Sequence, residues 1–482
     1  MGEKNKFYVD VSSLHPEVTG SAIPLTIKYP NGRTAHILVD CGFFQEREYT
    51  ELNKSFPFNP EDIDHVIITH NHMDHIGRIP FLVKSGYNGK IHMTAKGTDI
   101  LIKPALYDGL KILRNRFELF NEPMLYDEDD VSKALNQIEA HAYDTPVWLD
   151  EERTIKMHLF KNGHLPGACI VFLQIYYSDE EKKYDTINLL FTGDYCSKNV
   201  FFDVPPIPKW VYSKPVILIQ ESTYGNMNSN QVEYVFKENI IKAVEQKKVI
   251  VVPVFSLGRV QEIMLFLKMM QDEGVLSKSI PIYYDGKLGH TYTKIYYSNE
   301  LDLNENSKNF TPQNFTFVDS KQMRNSIIYN DDCKIILCSS GMGTYGPSRT
   351  YLSTLLNKKN CLIHFTGYLA EDTMGRKIYE ATHNSLVEFM GLQLIKRAEV
   401  LYTSEFSSHA KADELIEFLE PFTDLKMVLI NHGEKNTKKI YTERVVEEIE
   451  PKYTAILGGE YLYRVNAYGF VKSINTNFHQ YH

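Results

Sequence analysis

The run Thr69-His70-Asn71-His72-Met73-Asp74-His75-Ile76-Gly77 sets three imidazoles and a carboxylate within six positions, directly after the apolar segment Val66-Ile67-Ile68. A fold needs no such set. Imidazole nitrogen and carboxylate oxygen together suit zinc, iron or manganese. His70 and His72, two positions apart, are expected on the same side of a strand end. Asp74 and His75 fall where the chain turns into the helix-like stretch Ile76–Lys84, from which they can serve a second, adjacent ion.

Further ligands are found downstream. His164 lies in the turn-rich Asn162-Gly163-His164-Leu165-Pro166-Gly167, which can present one imidazole at a loop tip. His158 competes with it but sits inside a strand-like stretch, Ile155–Phe160, so His164 is preferred. Asp194 closes the apolar run Ile187–Phe191, where a carboxylate can bridge two cations. His432 follows Met427–Ile430, and Asp40 follows Ile37-Leu38-Val39. Any one of these is an ordinary buried turn residue. Together they repeat one device, an apolar strand with metal chemistry at its carboxyl end, as expected where an α/β fold gathers a site at strand ends.

This constellation resembles the metallo-β-lactamase superfamily, with Asp40, then His70/His72/Asp74/His75, His164 and Asp194 as its motifs in order. The resemblance implies two zinc ions, with manganese admissible. It would place His70, His72 and His164 on one ion and Asp74, His75 and His432 on the other, with Asp194 bridging and Asp40 orienting a ligand histidine.

About two hundred residues separate Asp194 from His432, more than a plain hydrolase of that superfamily needs. Glu221, in Gln220-Glu221-Ser222-Thr223-Tyr224-Gly225, His409, in Ser407-Ser408-His409-Ala410, and His432 match the three additional motifs of the β-CASP nucleases. Pro253–Glu262, Ser340–Pro347, Gly367–Lys377 and Val18-Thr19-Gly20-Ser21 look like the same branch. Histidine rather than valine at the third motif resembles the RNA-processing members. The phrases are closest to stand-alone prokaryotic relatives of the cleavage-and-polyadenylation endonuclease subunit. No KH-type segment is legible before Asp40.

The fold so implied is α/β: an αββα metallo-β-lactamase sandwich with an inserted α/β β-CASP domain that contains a mainly parallel sheet. The expected division is residues 1–224 and 404–465 for the sandwich, 225–403 for the insertion and 466–482 for a C-terminal tail. The function implied is hydrolysis of phosphodiester bonds in single-stranded RNA, endonucleolytic with a 5′-exonucleolytic mode also open, by a cytoplasmic enzyme for which a homodimer is admissible. His409 is the expected general acid, with Glu221 holding its ring. Arg259, Ser340, Gly341, Arg349, Arg376 and Lys377 are expected to contact RNA phosphates. A DNA nuclease of the same branch and a small-molecule metallo-hydrolase are the alternatives.

Composition narrows the choice. The 482 residues suffice for two cores, and 43% hydrophobic with 23% charged residues is ordinary for a globular chain. No apolar run reaches eighteen residues, and the polar start Met1–Lys6 argues against a secretory signal. Six scattered cysteines form no C-x-x-C pair and read as reduced thiols. A net charge of −9 predicts weak non-specific binding to nucleic acid. Acidity is concentrated in stretches such as Asp127–Asp130, Asp179–Glu181 and Glu443–Glu450.

The elements that must position these residues follow the hydrophobic pattern. The first part reads as β-rich, with helices near Ala95–Arg116 and Asp129–Ala140. From about Gly225 strands and helices alternate: strand Val249–Val254, helix Gly258–Gln271, strands Ile335–Cys338 and Cys361–Phe365. That alternation predicts a parallel sheet. Strand Val400–Tyr402, helix Ala412–Leu419, strand Met427–Ile430 and helix Lys438–Ile449 complete the chain.

Overall fold

The computed structural model describes residues 7–178, 184–370, 373–389 and 391–475. The acidic stretch 179–181, Glu371 and Asp372 of the Gly367–Lys377 phrase, and 476–482 of the expected tail lie outside them. The chain divides into two compact units: Met1–Asn199, Asp203–Ser229 and Ser408–His482 form one, Val200–Phe202 and Asn230–Ser407 the other.

The first unit is built on two sheets. One has eight strands, and its run from Ile23–Lys28 through Thr34–Val39, His65–Ile67, Lys90–Thr94 and Ile138–His141 turns from antiparallel to parallel after Thr34–Val39. The other has seven strands and includes Ile155–Lys161, Cys169–Ser178, Tyr184–Phe191, Val216–Gln220 and Leu425–Ile430. Strand alternation sorts the side chains between layers. Ile67 joins the core between the sheets, whereas its neighbours Val66 and Ile68 pack into the cluster that also holds Ile79, Leu82, Ile102 and Leu106 of the helices. On the second sheet, Leu218, Val428 and Ile430 pack with Leu415, Ile416, Tyr441 and Val445. Each sheet thus buries one face against the other sheet and one against helices, the αββα order.

The second unit carries a six-stranded sheet whose pairings are all parallel: Phe315–Phe317, Ile282–Asp285, Lys334–Cys338, Val249–Pro253, Cys361–Phe365 and Glu399–Tyr402 in spatial order. Its central strands are buried along their whole length and, apart from Lys334 and His364, are apolar runs rather than alternating ones.

Two local expectations are corrected. The helix foreseen to Ala140 ends at Asn136, and Ile138–His141 instead pairs in parallel with Lys90–Thr94. Sheet pairing there outweighs local helix propensity. His70 and His72 do not lie on a strand end, because the strand closes at Ile67 and both histidines occupy the coil before the helix Met73–Ile76. Residues 466–475 continue the first sheet, Gly469–Asn475 pairing back on Tyr461–Asn466.

Candidate metal centre

Strand ends of the first unit deliver the site. Asp40 follows Thr34–Val39, Asp194 follows Tyr184–Phe191, Glu221 follows Val216–Gln220 and His432 follows Leu425–Ile430. Asp40 and His432 both take left-handed backbone, with φ of 61° and 45°, so the chain reverses as each leaves its strand. Gly42 lets the loop after Asp40 press on the histidine run, since a Cβ there would sit 1.6 Å from the carbonyl oxygen of Asp74.

The convergence is close. His70 Nε2 lies 3.2 Å from His72 Nδ1, and His164 Nε2 lies 3.1 Å from the same atom. Asp194 stands between two groups. Its Oδ2 is 3.5 Å from His70 Nε2 and 3.6 Å from His164 Nε2, while its Oδ1 is 3.3 Å from His75 Nε2 and 3.4 Å from His432 Nε2. Asp74 approaches His75 and His432 at 3.9 and 4.0 Å. The ligand atoms of His70, His72, His164 and Asp194 all lie within 4.8 Å of one another, as do those of Asp74, His75 and His432.

Three of the histidines are held by their outer nitrogen. His75 Nδ1 contacts Asp40 Oδ2 at 2.7 Å, His432 Nδ1 contacts Thr223 Oγ1 at 3.0 Å, and His164 Nδ1 contacts the carbonyl of Ser408 at 3.0 Å. The Nε2 atoms of these three therefore face the centre, whereas His72 turns its Nδ1 there. Burial depresses the imidazoles of His70 and His164 well below their ordinary range, and takes His72 down to about 4. Burial opposes charge on His75 and His432 as well, yet Asp194, with Asp40 at His75 and Asp74 at His432, outweighs it and raises both.

The donor set fits divalent metal. His75 Nε2, His432 Nε2 and Asp194 Oδ1 are buried and make no hydrogen bond, although buried polar atoms normally do. Three orphaned atoms aimed at one point are what a cation would satisfy.

His409 stands beside this cage. Its Nδ1 lies 3.0 and 2.9 Å from the two carboxylate oxygens of Glu221, and its Nε2 is 3.9 Å from Asp194 Oδ2. Glu221 also accepts from the backbone N–H of Tyr195 and, at 3.3 Å, of Thr223. His158 is elsewhere, packed among Phe160, Phe172 and Trp210.

The residues expected to meet phosphate lie in the second unit. Arg259 is buried, with Nη1 3.2 Å from Glu262. Gly341 is closed over by the Phe255 ring, which a Cβ would meet at 2.9 Å. The Ser340 hydroxyl donates to the carbonyl of Tyr345 at 3.3 Å. Arg349 is half-buried on the helix Gly346–Leu355. Arg376 and the exposed Lys377 open the helix Met374–Glu380, where Arg376 pairs with Glu380 at 2.5 Å. That helix and the glycine loop join, since Gly375 N–H donates to Met342 O at 2.9 Å.

Three contributors escaped sequence reasoning. Asn162 donates to the carbonyls of Thr192 and Asp194 at 2.9 and 2.6 Å, and accepts from the N–H of His164 at 3.0 Å and of Cys196 at 3.2 Å. Thr69 donates to Asp40 through its hydroxyl at 2.8 Å. Thr223 holds His432. Thr69 and Asn162 each lie within two positions of a recognised histidine, which was the available signal.

Comparison with known proteins agrees with this geometry. The chain matches the metallo-beta-lactamase superfamily over residues 28–194, the Beta-Casp domain over 260–378 and the Zn-dependent metallo-hydrolase RNA specificity domain over 395–455. It is 30% identical to the transcription termination factor FttA of Methanocaldococcus jannaschii over 443 residues, covering 86% of this chain and 65% of that one. A ribonuclease of Thermus thermophilus is 29% identical over 430 residues, covering 87% and 91%. Subunit 3-I of the Arabidopsis thaliana cleavage and polyadenylation specificity factor is 28% identical over 452 residues, covering 92% and 62%. The chain thus spans just under two thirds of the first and third of these relatives. With its sandwich fold, its inserted parallel-sheet unit and these matches, the chain belongs to the β-CASP branch of the metallo-β-lactamase superfamily.

Proposed function

We propose that the chain is a zinc-dependent ribonuclease that hydrolyses phosphodiester bonds of single-stranded RNA. The observation that carries this reading is the division of the Asp194 carboxylate, one oxygen facing His70 and His164, the other facing His75 and His432. His70, His72 and His164 would hold one zinc ion and Asp74, His75 and His432 the other, with Asp194 shared. When bound, two such ions make water nucleophilic at neutral pH and neutralise phosphate charge.

The chain's own groups supply the remainder. Hydrolysis joins a water oxygen to phosphorus and breaks the bond to one ribose oxygen, which must leave with a proton. Nε2 of His409 is placed to give that proton, because Glu221 holds the ring by Nδ1. Glu221 also compensates positive charge on the ring, as the acid of a catalytic triad does. Asp40 fixes the tautomer of His75. Arg376 and Lys377, next to the glycine loop 340–346, would hold phosphates of the bound strand. The ribonuclease named among the relatives and the matched RNA specificity domain support RNA as substrate. Among the described residues the cysteines form no disulfide, which suits a reducing cytoplasm. Among the described residues no helix is long and apolar enough to cross a membrane.

The test is incubation of RNA labelled at the 5′ or the 3′ end with the purified protein, with and without a chelator, beside single-stranded DNA of the same sequence. Chelator-sensitive cleavage of RNA supports the reading, and product lengths give endonucleolytic or 5′-exonucleolytic mode. Cleavage of DNA alone, or cleavage indifferent to chelator, overturns it.

A further inference from the structure

A second row of imidazoles lies away from that centre, on the parallel strands His65–Ile67, Lys90–Thr94 and Ile138–His141. Their register pairs His65 with Lys90, Ile67 with His92, His92 with Glu139 and Thr94 with His141. Side chains alternate along a strand, so His65, His92, Glu139 and His141 share one face of the sheet. It is the face that Ile67 turns to the core between the sheets. Polar rings are costly there unless they are satisfied.

Their mutual distances have the scale of a coordination shell. His92 Nδ1 lies 2.9 Å from His141 Nε2, and Glu139 Oε1 lies 3.9 Å from that same Nε2. The ligand atoms of His92, Glu139 and His141 all fall within 4.8 Å of one another. A tetrahedral ion with bonds of about 2.0–2.2 Å keeps its ligand atoms about 3.3–3.6 Å apart. The nitrogens at the main centre stand 3.1 and 3.2 Å apart, a similar spacing.

The remaining nitrogen of His92, Nε2, is 3.0 Å from His65 Nδ1. A ligand histidine characteristically donates its second ring N–H to such an outer acceptor. A plain ladder of hydrogen-bonded rings would account for the two imidazole contacts. It leaves unexplained why a carboxylate, at 3.9 Å and beyond hydrogen-bond range, is turned to the same nitrogen. Burial brings His92 down to about 3 and lowers His65 and His141 from their ordinary range.

We propose that His92, His141 and Glu139 form a separate site for a divalent transition-metal ion of the zinc type, with His65 as the residue that positions the His92 ring. Such an ion would staple the strand Ile138–His141 to Lys90–Thr94. Two imidazoles and one carboxylate suit zinc and its neighbours rather than calcium or magnesium. Glu139 is half-exposed, which gives the ion a path in and leaves its coordination open to water.

The test is zinc stoichiometry, by elemental analysis after equilibration with buffered Zn2+, on the full chain and on Glu139→Gln, His141→Gln and His65→Leu. Affinity is read by chelator competition and folding by thermal melting. The wild-type chain is expected to hold one more zinc equivalent than His141→Gln. Glu139→Gln, at a half-exposed position, is expected to fold normally and to weaken that equivalent at least about tenfold, and His65→Leu to weaken it ~10–100-fold. If His141→Gln fails to fold, Glu139→Gln decides alone. Equal stoichiometry and affinity in the wild type and Glu139→Gln would overturn the proposal and leave a hydrogen-bonded ladder.

Discussion

Asp40 Oδ2 lies 2.7 Å from Nδ1 of His75, and the same carboxylate accepts the N–H and the hydroxyl of Thr69, each at 2.8 Å. One acid therefore sets the ring of a residue thirty-five positions away and the backbone that carries His70. Asp40→Ala removes both holds. Metal affinity is expected to fall ~10–100-fold, the usual effect of losing an outer partner. Chelator competition on the purified variant checks this, and unchanged affinity would show that the contact does not orient His75.

Asn162 clamps the His164 loop to the Asp194 loop through three buried hydrogen bonds and makes a fourth to His164 within its own loop. Asn162→Ala leaves two carbonyls and two N–H groups without those partners, each worth about 1–3 kcal/mol when buried. A loss of at least about 2 kcal/mol in urea unfolding is expected, because neighbouring terms overlap. Asn162→Asp, which keeps the acceptor but not the donors, should recover part of it. Wild-type stability in the alanine variant would contradict the clamp.

Lys438 gives a pH dependence. It is buried, its ammonium donates to the carbonyl of Pro16, and burial brings it down to about 8 from its ordinary 10.5. Between those values the unfolded chain binds the proton and the folded chain does not, so stability rises with pH. The cost of the buried charge is fully present below pH 8 and is relieved toward 10.5. Denaturation at pH 7.5 and 9.5 should show this rise in the wild type relative to Lys438→Met. Parallel profiles in the two proteins would remove Lys438 as the cause.

Much of the site was legible because its residues mark strand ends. Asp40, Asp194 and His432 each follow an apolar run, and such a run ends where its strand does. The partners of those residues were not legible. Thr223 reaches His432 across 209 positions and Asn162 reaches Asp194 across 32, and no local pattern reports such a contact. Pairing also decided Ile138–His141, whose sequence reads as the end of a helix until the neighbouring strand is known. His70 and His72 came together without the strand geometry expected of them, through a coil fixed by Asp40. Arg259, expected to contact RNA phosphate, packs against Glu262 because the first turn of its helix is buried.

One set of residues is assigned to hold metal and another to move a proton. His409→Ala and Asp194→Ala separate these roles when each is assayed for bound metal and for cleavage of labelled RNA. His409→Ala should keep its metal and lose ~10²–10⁴-fold in rate. Asp194→Ala should lose metal and activity together. Equal loss of metal in both variants, or a His409→Ala protein that cleaves at the wild-type rate, would contradict the division of roles.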